Sequence, residues 1–137
     1  MYQKSTAVNK IDEIWEKIIF ESIQIKKKEP LLNYFIDKKI SEHNSFQECL
    51  SYLVADNLEC NFIEFREIKK ITDFALETDE KIIYSTIEDI SANFDRDPAC
   101  TRHINPVLYY KGFQALQCYR IANFYSKNGN LDLAYFI

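Results

Sequence analysis

The sequence predicts an all-α fold, a multi-helix bundle of about seven helical segments. Apolar residues recur at steps of three and four along most of the 137 residues, which is the spacing of one face of an α-helix. Only 2 Gly and 3 Pro are present, and no extended alternation of apolar and polar residues indicates a strand. The length is typical of one domain, so residues 1–137 are treated as a single helical domain.

The first helix is indicated by apolar residues that share one face from Ile11 onward, namely Ile11, Ile14, Trp15, Ile18, Ile19 and Ile25. Pro30 ends this helix, because proline disfavours helical geometry in the residue before it. A second segment can begin at Pro30 itself, since the missing N–H costs nothing in a first helical turn. Its apolar residues are Leu31, Leu32, Phe35, Ile36 and Ile40.

The next three segments are marked by their starts. Ser45 and Glu48 fit a capping box, in which the Ser45 hydroxyl accepts from the Glu48 N–H and the Glu48 carboxylate reaches back. A fourth segment covers residues 62–76, where apolar residues again recur at helical spacing. Thr78 is expected to cap the fifth helix, which extends to about Phe94.

A polar break at residues 95–99 precedes the most apolar segment of the chain. Asn105 is expected to cap this helix, with Pro106 in its first turn. The helix extends to about Lys127 and is apolar on most sides, which predicts burial on most sides or a contact between subunits.

Two glycines have different expected roles in this region. Gly112 lies inside the helix, where we expect it to permit close approach of another backbone or ring. Gly129 follows Asn128 and is expected to close the helix. Another amphipathic stretch begins at Leu131.

Composition excludes several classes of function. The net charge is −4, and the only cationic run is residues 26–28, so no nucleic-acid partner is expected. No apolar run reaches the roughly 18 residues of a membrane span, and no signal peptide is apparent. A reduced, cytoplasmic protein is therefore expected. The chain has 2 His and 4 Cys without a CxxC pair, so we expect no metal site.

The catalytic residue types are sparse. His43 and His103 both lie in predicted loops, where an exposed and inert histidine is the commoner case. The cysteines lie on or beside apolar stripes and are interpreted as small core residues. They are Cys49, Cys60, Cys100 and Cys118.

One loop stands out as a binding candidate. Asp95 and Asp97 flank a guanidinium, that of Arg96, just before the most apolar helix. Loops held between rigid elements are where binding groups concentrate. From spacing alone two interpretations remain: local capping, or a recognition carboxylate that pairs with a cationic group such as an α-ammonium.

Residues 96–121 contain two motifs that resemble those of a known family. RDPA at residues 96–99 and PVLYYKGFQALQCYRI at residues 106–121 resemble the amino-terminal helical domain of bacterial and plant serine O-acetyltransferases. Weaker similarity extends upstream to EPLL at residues 29–32, LSYL at residues 50–53 and RE at residues 66–67. The resemblance therefore covers nearly the whole chain from about Ile11.

This resemblance implies an enzyme that transfers an acetyl group from acetyl-CoA to L-serine, giving O-acetyl-L-serine for cysteine biosynthesis. In that family, hexapeptide-repeat left-handed β-helices form trimers that pair into hexamers, and the helical domain supplies the contacts between trimers. The catalytic His and its Asp partner lie in the β-helix, which would follow Ile137. We therefore expect a truncated chain with no catalytic residue and no activity of its own.

The resemblance also implies site residues and partners. Asp97 occupies the position of the family aspartate that helps to hold substrate serine, and L-cysteine binds there as feedback inhibitor. Asp95 and Arg96 are expected to position Asp97, whereas Lys111 and Arg120 are assigned to packing. The sulfhydrylase that consumes O-acetylserine would dock on a C-terminal tail that this chain lacks, so its binding by residues 1–137 is not expected.

Two other functions remain as alternatives. The apolar helix at residues 106–124 could pair with a second copy, as in a non-enzymatic oligomerisation or adaptor module. The chain could also be a regulatory cysteine-binding domain.

Overall fold

A computed structural model of the chain describes residues 2–137, with side chains from Thr6 onward, and this part of the chain is all-α. Eight α-helices account for most of it, and the contact between Cys60 and Ile63 is an isolated β-bridge without a strand. The helices are α1 (Tyr2–Lys28), α2 (Asn33–Ile36), α3 (Phe46–Leu58), α4 (Phe65–Thr78), α5 (Lys81–Arg96), α6 (Ile104–Tyr109), α7 (Lys111–Lys127) and α8 (Leu131–Phe136). A 3₁₀ turn at Pro30–Leu32 precedes α2, and a π-helical turn at Asp37–Ser41 follows it.

Helix α7 lies at the centre of the bundle, in contact with α3, α4, α5, α6 and α8. Helix α1 packs across α5 and α6, and α3 and α4 form an antiparallel pair. One apolar core joins these helices, and its most deeply buried side chains are Ile18, Ile36, Ile40, Leu50, Ile68, Leu76, Ile87, Ile90, Ile104 and Ile121.

Two of the expected helix boundaries are confirmed by their hydrogen bonds. The Ser45 hydroxyl accepts from the Glu48 N–H at 3.2 Å, and the Glu48 carboxylate reaches back to the N–H of Asn44 at 2.8 Å rather than to that of Ser45. At the end of α7, Gly129 has φ = 85°, its N–H reaches Ser126 O at 3.2 Å, and Asn130 N–H reaches Tyr125 O at 2.9 Å. These two bonds define a Schellman motif, which requires a left-handed residue where Gly129 stands.

Other expected boundaries are wrong. Thr78 does not cap α5 but ends α4, where its hydroxyl donates to Phe74 O at 2.7 Å. The Asp79 carboxylate instead accepts from the N–H of Lys81, the first residue of α5. Phe62, expected in the fourth helix, lies in the turn before α4 and is 94 % exposed.

The predicted helix over residues 106–127 is two helices. Tyr110 is extended, with φ = −88° and ψ = 101°, so that α6 ends and α7 begins around this one residue. Helix α6 begins at Ile104, which places Asn105 inside the helix instead of at its cap. Around Gly112 there is open space, because an added Cβ would meet nothing within 4 Å.

The apolar pattern of α7 also does not predict which of its residues are buried. Gln114 and Gln117 are buried, whereas Leu116 is exposed and Tyr119 is 64 % exposed. The expectation that this helix is buried on most sides is therefore wrong for α7. Among residues 2–137, no helix combines the length and the apolar character that crossing a bilayer requires.

Candidate functional site

The candidate site is the loop of residues 97–103, which joins α5 to α6. Helix α5 extends through Arg96, so Asp95 and Arg96 are exposed residues of its last turn rather than members of the break. Asp97 is the residue that leaves the helix, with φ = −98° and ψ = 110°, and its N–H still donates to Asn93 O at 3.1 Å. The backbone of Asp97 is therefore fixed to the end of α5.

The Asp97 carboxylate is half-buried and is held by the loop itself. Its Oδ1 accepts from the Ala99 N–H at 2.9 Å, and its backbone carbonyl accepts from the Cys100 N–H at 2.9 Å. Within the described part of the chain, no donor occupies Oδ2. This geometry gives local capping to one oxygen and leaves the other able to accept a bond from a cationic ligand.

Cys100 of the loop is in contact with Tyr110, which lies between α6 and α7. The buried Cys100 thiol donates to Arg102 O at 3.4 Å. Contact with this thiol, together with burial and the charge of Asp97, raises the pKa of Tyr110. Tyr110 is therefore a neutral phenol at physiological pH, with its hydroxyl close to the Asp97 loop.

Glu21 of α1 holds the far end of the loop. Its Oε1 accepts from the His103 N–H at 3.1 Å and lies 3.3 Å from His103 Nδ1, and its Oε2 accepts from the Ile104 N–H at 2.8 Å. The His103 ring stacks on Phe94 of α5, with centroids 4.0 Å apart and an interplanar angle of 19°. One carboxylate thus joins α1 to the start of α6.

The structure corrects the expectation of two exposed histidines. His103 is buried between Glu21 and Phe94. His43 is half-buried, with Nε2 3.0 Å from Lys38 O and its ring against Tyr52. Both rings are held by local contacts, and among the described side chains neither forms a hydrogen bond with a cysteine or serine that it could activate as a nucleophile.

The cysteines are free thiols, and the expectation of core cysteines holds for three of the four. Burial raises the pKa of Cys49 and of Cys118, so both remain protonated and unreactive at neutral pH. Cys100 is buried as well, but Cys60 is exposed in the turn between α3 and α4, where the expectation was wrong. In the described residues, no three His, Cys, Asp or Glu side chains converge as a metal site would require.

The Arg120 side chain bonds to another helix, whereas that of Lys111 bonds only within its own, among the contacts of the described residues. The Arg120 guanidinium pairs with Asp89 of α5 and donates to Gln117 Oε1 at 2.7 Å, which confirms its packing role. Lys111 Nζ lies 3.5 Å from Gln114 Oε1 on the same helix. Neither side chain is directed to Asp97 by these contacts.

Sequence reasoning missed Glu21, although the sequence contains a signal for it. Glu21 comes three residues after Ile18 and four before Ile25, so it shares their face of α1. A carboxylate among buried isoleucines needs donors, because an unpaired buried charge is costly. The loop supplies those donors.

The comparisons with known proteins agree with this fold. The family profile "Serine acetyltransferase, N-terminal" matches residues 14–118. A serine acetyltransferase of Buchnera aphidicola from Acyrthosiphon pisum is 36 % identical over 128 residues, which are 93 % of this chain and 47 % of that protein. The chain thus spans about half the length of the curated relatives that it matches.

Solved structures give the same result. The Brucella abortus serine acetyltransferase in complex with coenzyme A has a TM-score of 0.88 at 32 % identity, over 94 % of this chain and 52 % of that one. A serine acetyltransferase complexed with cysteine has a TM-score of 0.87 at 31 % identity, over 90 % and 52 %. The soybean enzyme complexed with serine has a TM-score of 0.88 at 25 % identity, over 93 % and 52 %.

The profile match at residues 14–118 includes the loop of residues 97–103 and the helices on both sides of it. The matched span covers most of the described helices. The chain therefore belongs to the family of serine acetyltransferase N-terminal domains.

Proposed function

We propose that this chain is the helical domain of a serine O-acetyltransferase, which transfers an acetyl group from acetyl-CoA to L-serine and gives O-acetyl-L-serine for cysteine biosynthesis. The observation that carries the proposal is the family match over residues 14–118, together with the shared fold of relatives that were solved with coenzyme A and with serine. Residues 1–137 are proposed to act as one domain, next to a catalytic domain of the complete enzyme.

In this proposal Asp97 binds the α-ammonium group of L-serine. A half-buried carboxylate with one oxygen held by the Ala99 N–H and the other available can make a charge-assisted bond to an ammonium group. L-cysteine carries the same ammonium and carboxylate groups, so it would occupy the same place as a feedback inhibitor. The resemblance of RDPA to the family motif assigns this role.

We assign to the described residues a role in binding and none in proton transfer. A general base for the serine hydroxyl must reach that hydroxyl with an available nitrogen or oxygen. His103 is buried against Glu21 and Phe94, and the Nε2 of His43 lies 3.0 Å from Lys38 O. The base and the acetyl-CoA site are therefore assigned to the catalytic β-helix of the complete enzyme.

Exposed apolar side chains support the homo-oligomer part of the proposal, in which trimers pair into hexamers through this domain. Leu31 is 95 % exposed, and large apolar side chains are also exposed at Phe20, Ile23 and Tyr34 on α1 and the segment after it. Apolar surface of this kind is often covered by a partner. The free thiols fit a reducing, cytoplasmic location, and a sulfhydrylase partner would bind elsewhere in the complete enzyme.

The activity is tested by joining residues 1–137 to the coding sequence that follows them and measuring CoA release. The expected result is CoA release that depends on added L-serine, whereas the 137-residue chain alone releases none. Release by the longer protein that is independent of serine, or no hexapeptide-repeat sequence downstream, would contradict the proposal.

The role of Asp97 is tested by Asp97→Ala in the active protein. Loss of a charge-assisted bond is expected to raise the KM for serine by about tenfold or more, with the KM for acetyl-CoA nearly unchanged. Asp132→Ala removes an exposed carboxylate on α8 and serves as the matched control. An unchanged KM for serine would remove Asp97 from the site.

A non-enzymatic oligomerisation or adaptor module is the second candidate, because Leu116 and Tyr119 expose apolar surface on α7. Light scattering after size exclusion separates the candidates when combined with the activity assay. A stable dimer or larger assembly without any acetyltransferase activity in the longer protein would favour the adaptor. A monomer at all concentrations would exclude it.

A further inference from the structure

We infer that Glu21 is a positioning residue, which fixes the direction of the Asp97 carboxylate by anchoring the far end of the loop at residues 97–103. The inference rests on the serine-binding role proposed for Asp97. Its starting point is that a carboxylate from α1, 76 positions earlier in the chain than Asp97, accepts two backbone N–H groups at the far end of this loop.

The Glu21 carboxylate makes several polar contacts in a protected place. Both oxygens of Glu21 accept backbone N–H groups, at 3.1 Å from His103 and 2.8 Å from Ile104, and His103 Nδ1 lies 3.3 Å from Oε1. The side chains of Glu21 and His103 are only 16 % and 11 % exposed. Hydrogen bonds to a charged acceptor in such a protected place are stronger and more restrictive than those on an open surface.

A second contact prevents the loop from turning about this anchor. The His103 ring stacks on Phe94, which belongs to α5, the helix that ends at Arg96 directly before Asp97. The loop is therefore held from two sides, by α1 through Glu21 and by α5 through Phe94.

Hydrogen bonds within the loop connect the anchor to the site. The thiol of Cys100 donates to Arg102 O at 3.4 Å, and the Cys100 N–H donates to Asp97 O at 2.9 Å. The Ala99 N–H then holds Asp97 Oδ1 at 2.9 Å. These bonds connect Arg102, Cys100 and Ala99 to Asp97, so that the anchored end of the loop is linked to the carboxylate.

This restraint matters because a binding carboxylate that is already oriented loses little conformational freedom when its ligand arrives. If the far end of the loop is released, the Ala99 N–H can separate from Asp97 Oδ1, and the carboxylate samples directions that do not meet the ligand. The expected consequence is weaker serine binding with unchanged acetyl-CoA binding.

The first measurement uses amide hydrogen exchange by NMR on the 137-residue chain. Glu21→Gln keeps one acceptor oxygen, whereas Glu21→Ala removes both, so the two variants form a graded pair. Glu16→Gln makes the same charge change on an exposed position of α1 and is the control. If Glu21→Ala fails to fold, Glu21→Gln and His103→Phe, which keeps the stacked ring, test the same contacts.

The expected result is faster exchange at His103 and Ile104, by about tenfold in Glu21→Gln, and a smaller increase of about threefold at Ala99 and Cys100. The control should leave all four amides unchanged. Faster exchange at His103 and Ile104 with unchanged Ala99 and Cys100 would overturn the inference, because the anchor would then not reach Asp97.

The second measurement is the KM for serine in the active protein that contains this domain. Glu21→Gln is expected to raise it by about threefold to tenfold, less than Asp97→Ala, with the KM for acetyl-CoA unchanged. If Asp97→Ala raises the KM for serine and Glu21→Gln does not, the positioning role is wrong and the proposed function stands. If Asp97→Ala itself has no effect, the proposed role of Asp97 fails independently of Glu21.

Discussion

The side-chain amide of Gln114, in the first turn of α7, donates to the backbone carbonyl of Val107 in α6 at 3.0 Å. The same nitrogen lies 3.3 Å from Leu108 O. These carbonyls belong to the last turn of α6, where no further helical N–H is available. One buried glutamine therefore supplies a donor to two carbonyls at the end of α6, at the point where α7 begins.

Gln114→Leu is expected to destabilise the domain by about 1–2 kcal/mol, because two buried carbonyls would lose their donor. Urea unfolding followed by circular dichroism measures the change. Gln24→Leu, on an exposed position of α1, is the matched control and should change the free energy of unfolding by less than about 0.5 kcal/mol. Equal effects of the two substitutions would contradict the capping role of Gln114.

The two glycines should respond oppositely to alanine. Gly112→Ala is expected to stabilise the domain by about 0.5 kcal/mol, because the added Cβ meets open space in a helix that favours alanine. Gly129→Ala should destabilise it by about 1 kcal/mol, because φ = 85° strains any residue with a Cβ. Thermal unfolding of both variants measures the signs, and a stabilising Gly129→Ala would rule out the left-handed cap.

Much of the fold could be predicted from local pattern. The isoleucine stripe of α1, the Ser45 cap and Gly129 each act within a few residues of sequence, and the structure confirms all three. Thr78 was misplaced because a threonine hydroxyl can also donate backwards to a carbonyl four residues earlier, as it does to Phe74. Where a residue such as Thr78 can take either of two local roles, the packing of the neighbouring helices determines which one it takes.

The rest depends on contacts that are distant in sequence. Gln117 is 2 % exposed because Thr86 and Asp89 of α5 provide partners for its amide, and the residues around it give no sign of that arrangement. His103 is buried by Glu21, which is 82 residues earlier in the chain. The position of Asp97 in a loop could be predicted, whereas the carboxylate that anchors this loop required the packed structure.

Asp89 and Arg120 form a half-buried ion pair between α5 and α7, next to the buried side chains of Thr86 and Gln117. The pair is expected to be sensitive to the loss of either partner. Asp89→Ala should cost about 2 kcal/mol, since Arg120 would retain only Gln117 as an acceptor among the described residues, in a site where its side chain is 20 % exposed. Urea unfolding provides the value, and adding Arg120→Met in a double-mutant cycle isolates the pair.

The control for this pair is Glu13→Gln, which breaks the exposed pair between Glu13 and Lys17 on α1. Pairing with Lys17 lowers the pKa of Glu13, but both side chains are in water, so the midpoint of unfolding should not change. A coupling near zero between Asp89 and Arg120 would show that this contact between α5 and α7 is held by its neutral hydrogen bonds alone.

The four thiols are expected to differ sharply in reactivity. Cys60 is exposed, whereas burial raises the pKa of Cys49 and Cys118, so at pH 8 these two supply less of the thiolate that reacts. A thiol reagent such as iodoacetamide should modify Cys60 at least about a hundredfold faster than Cys49. Raising the pH from 7 to 8 should leave Cys49 protected, because burial raises the pKa of its thiol.

Peptide mass spectrometry after timed quenching measures each rate. Cys60→Ser should abolish the fast phase without affecting the slow reactions of the other three thiols. Labelling in 8 M urea, about the concentration that unfolds most domains, should make the rates of the four thiols similar. Cys60 lies in the turn between α3 and α4, whereas Cys49 is a fully buried residue of α3. The ratio of the two rates therefore reports how often the core opens. Fast labelling of Cys49 in the folded chain would contradict its burial.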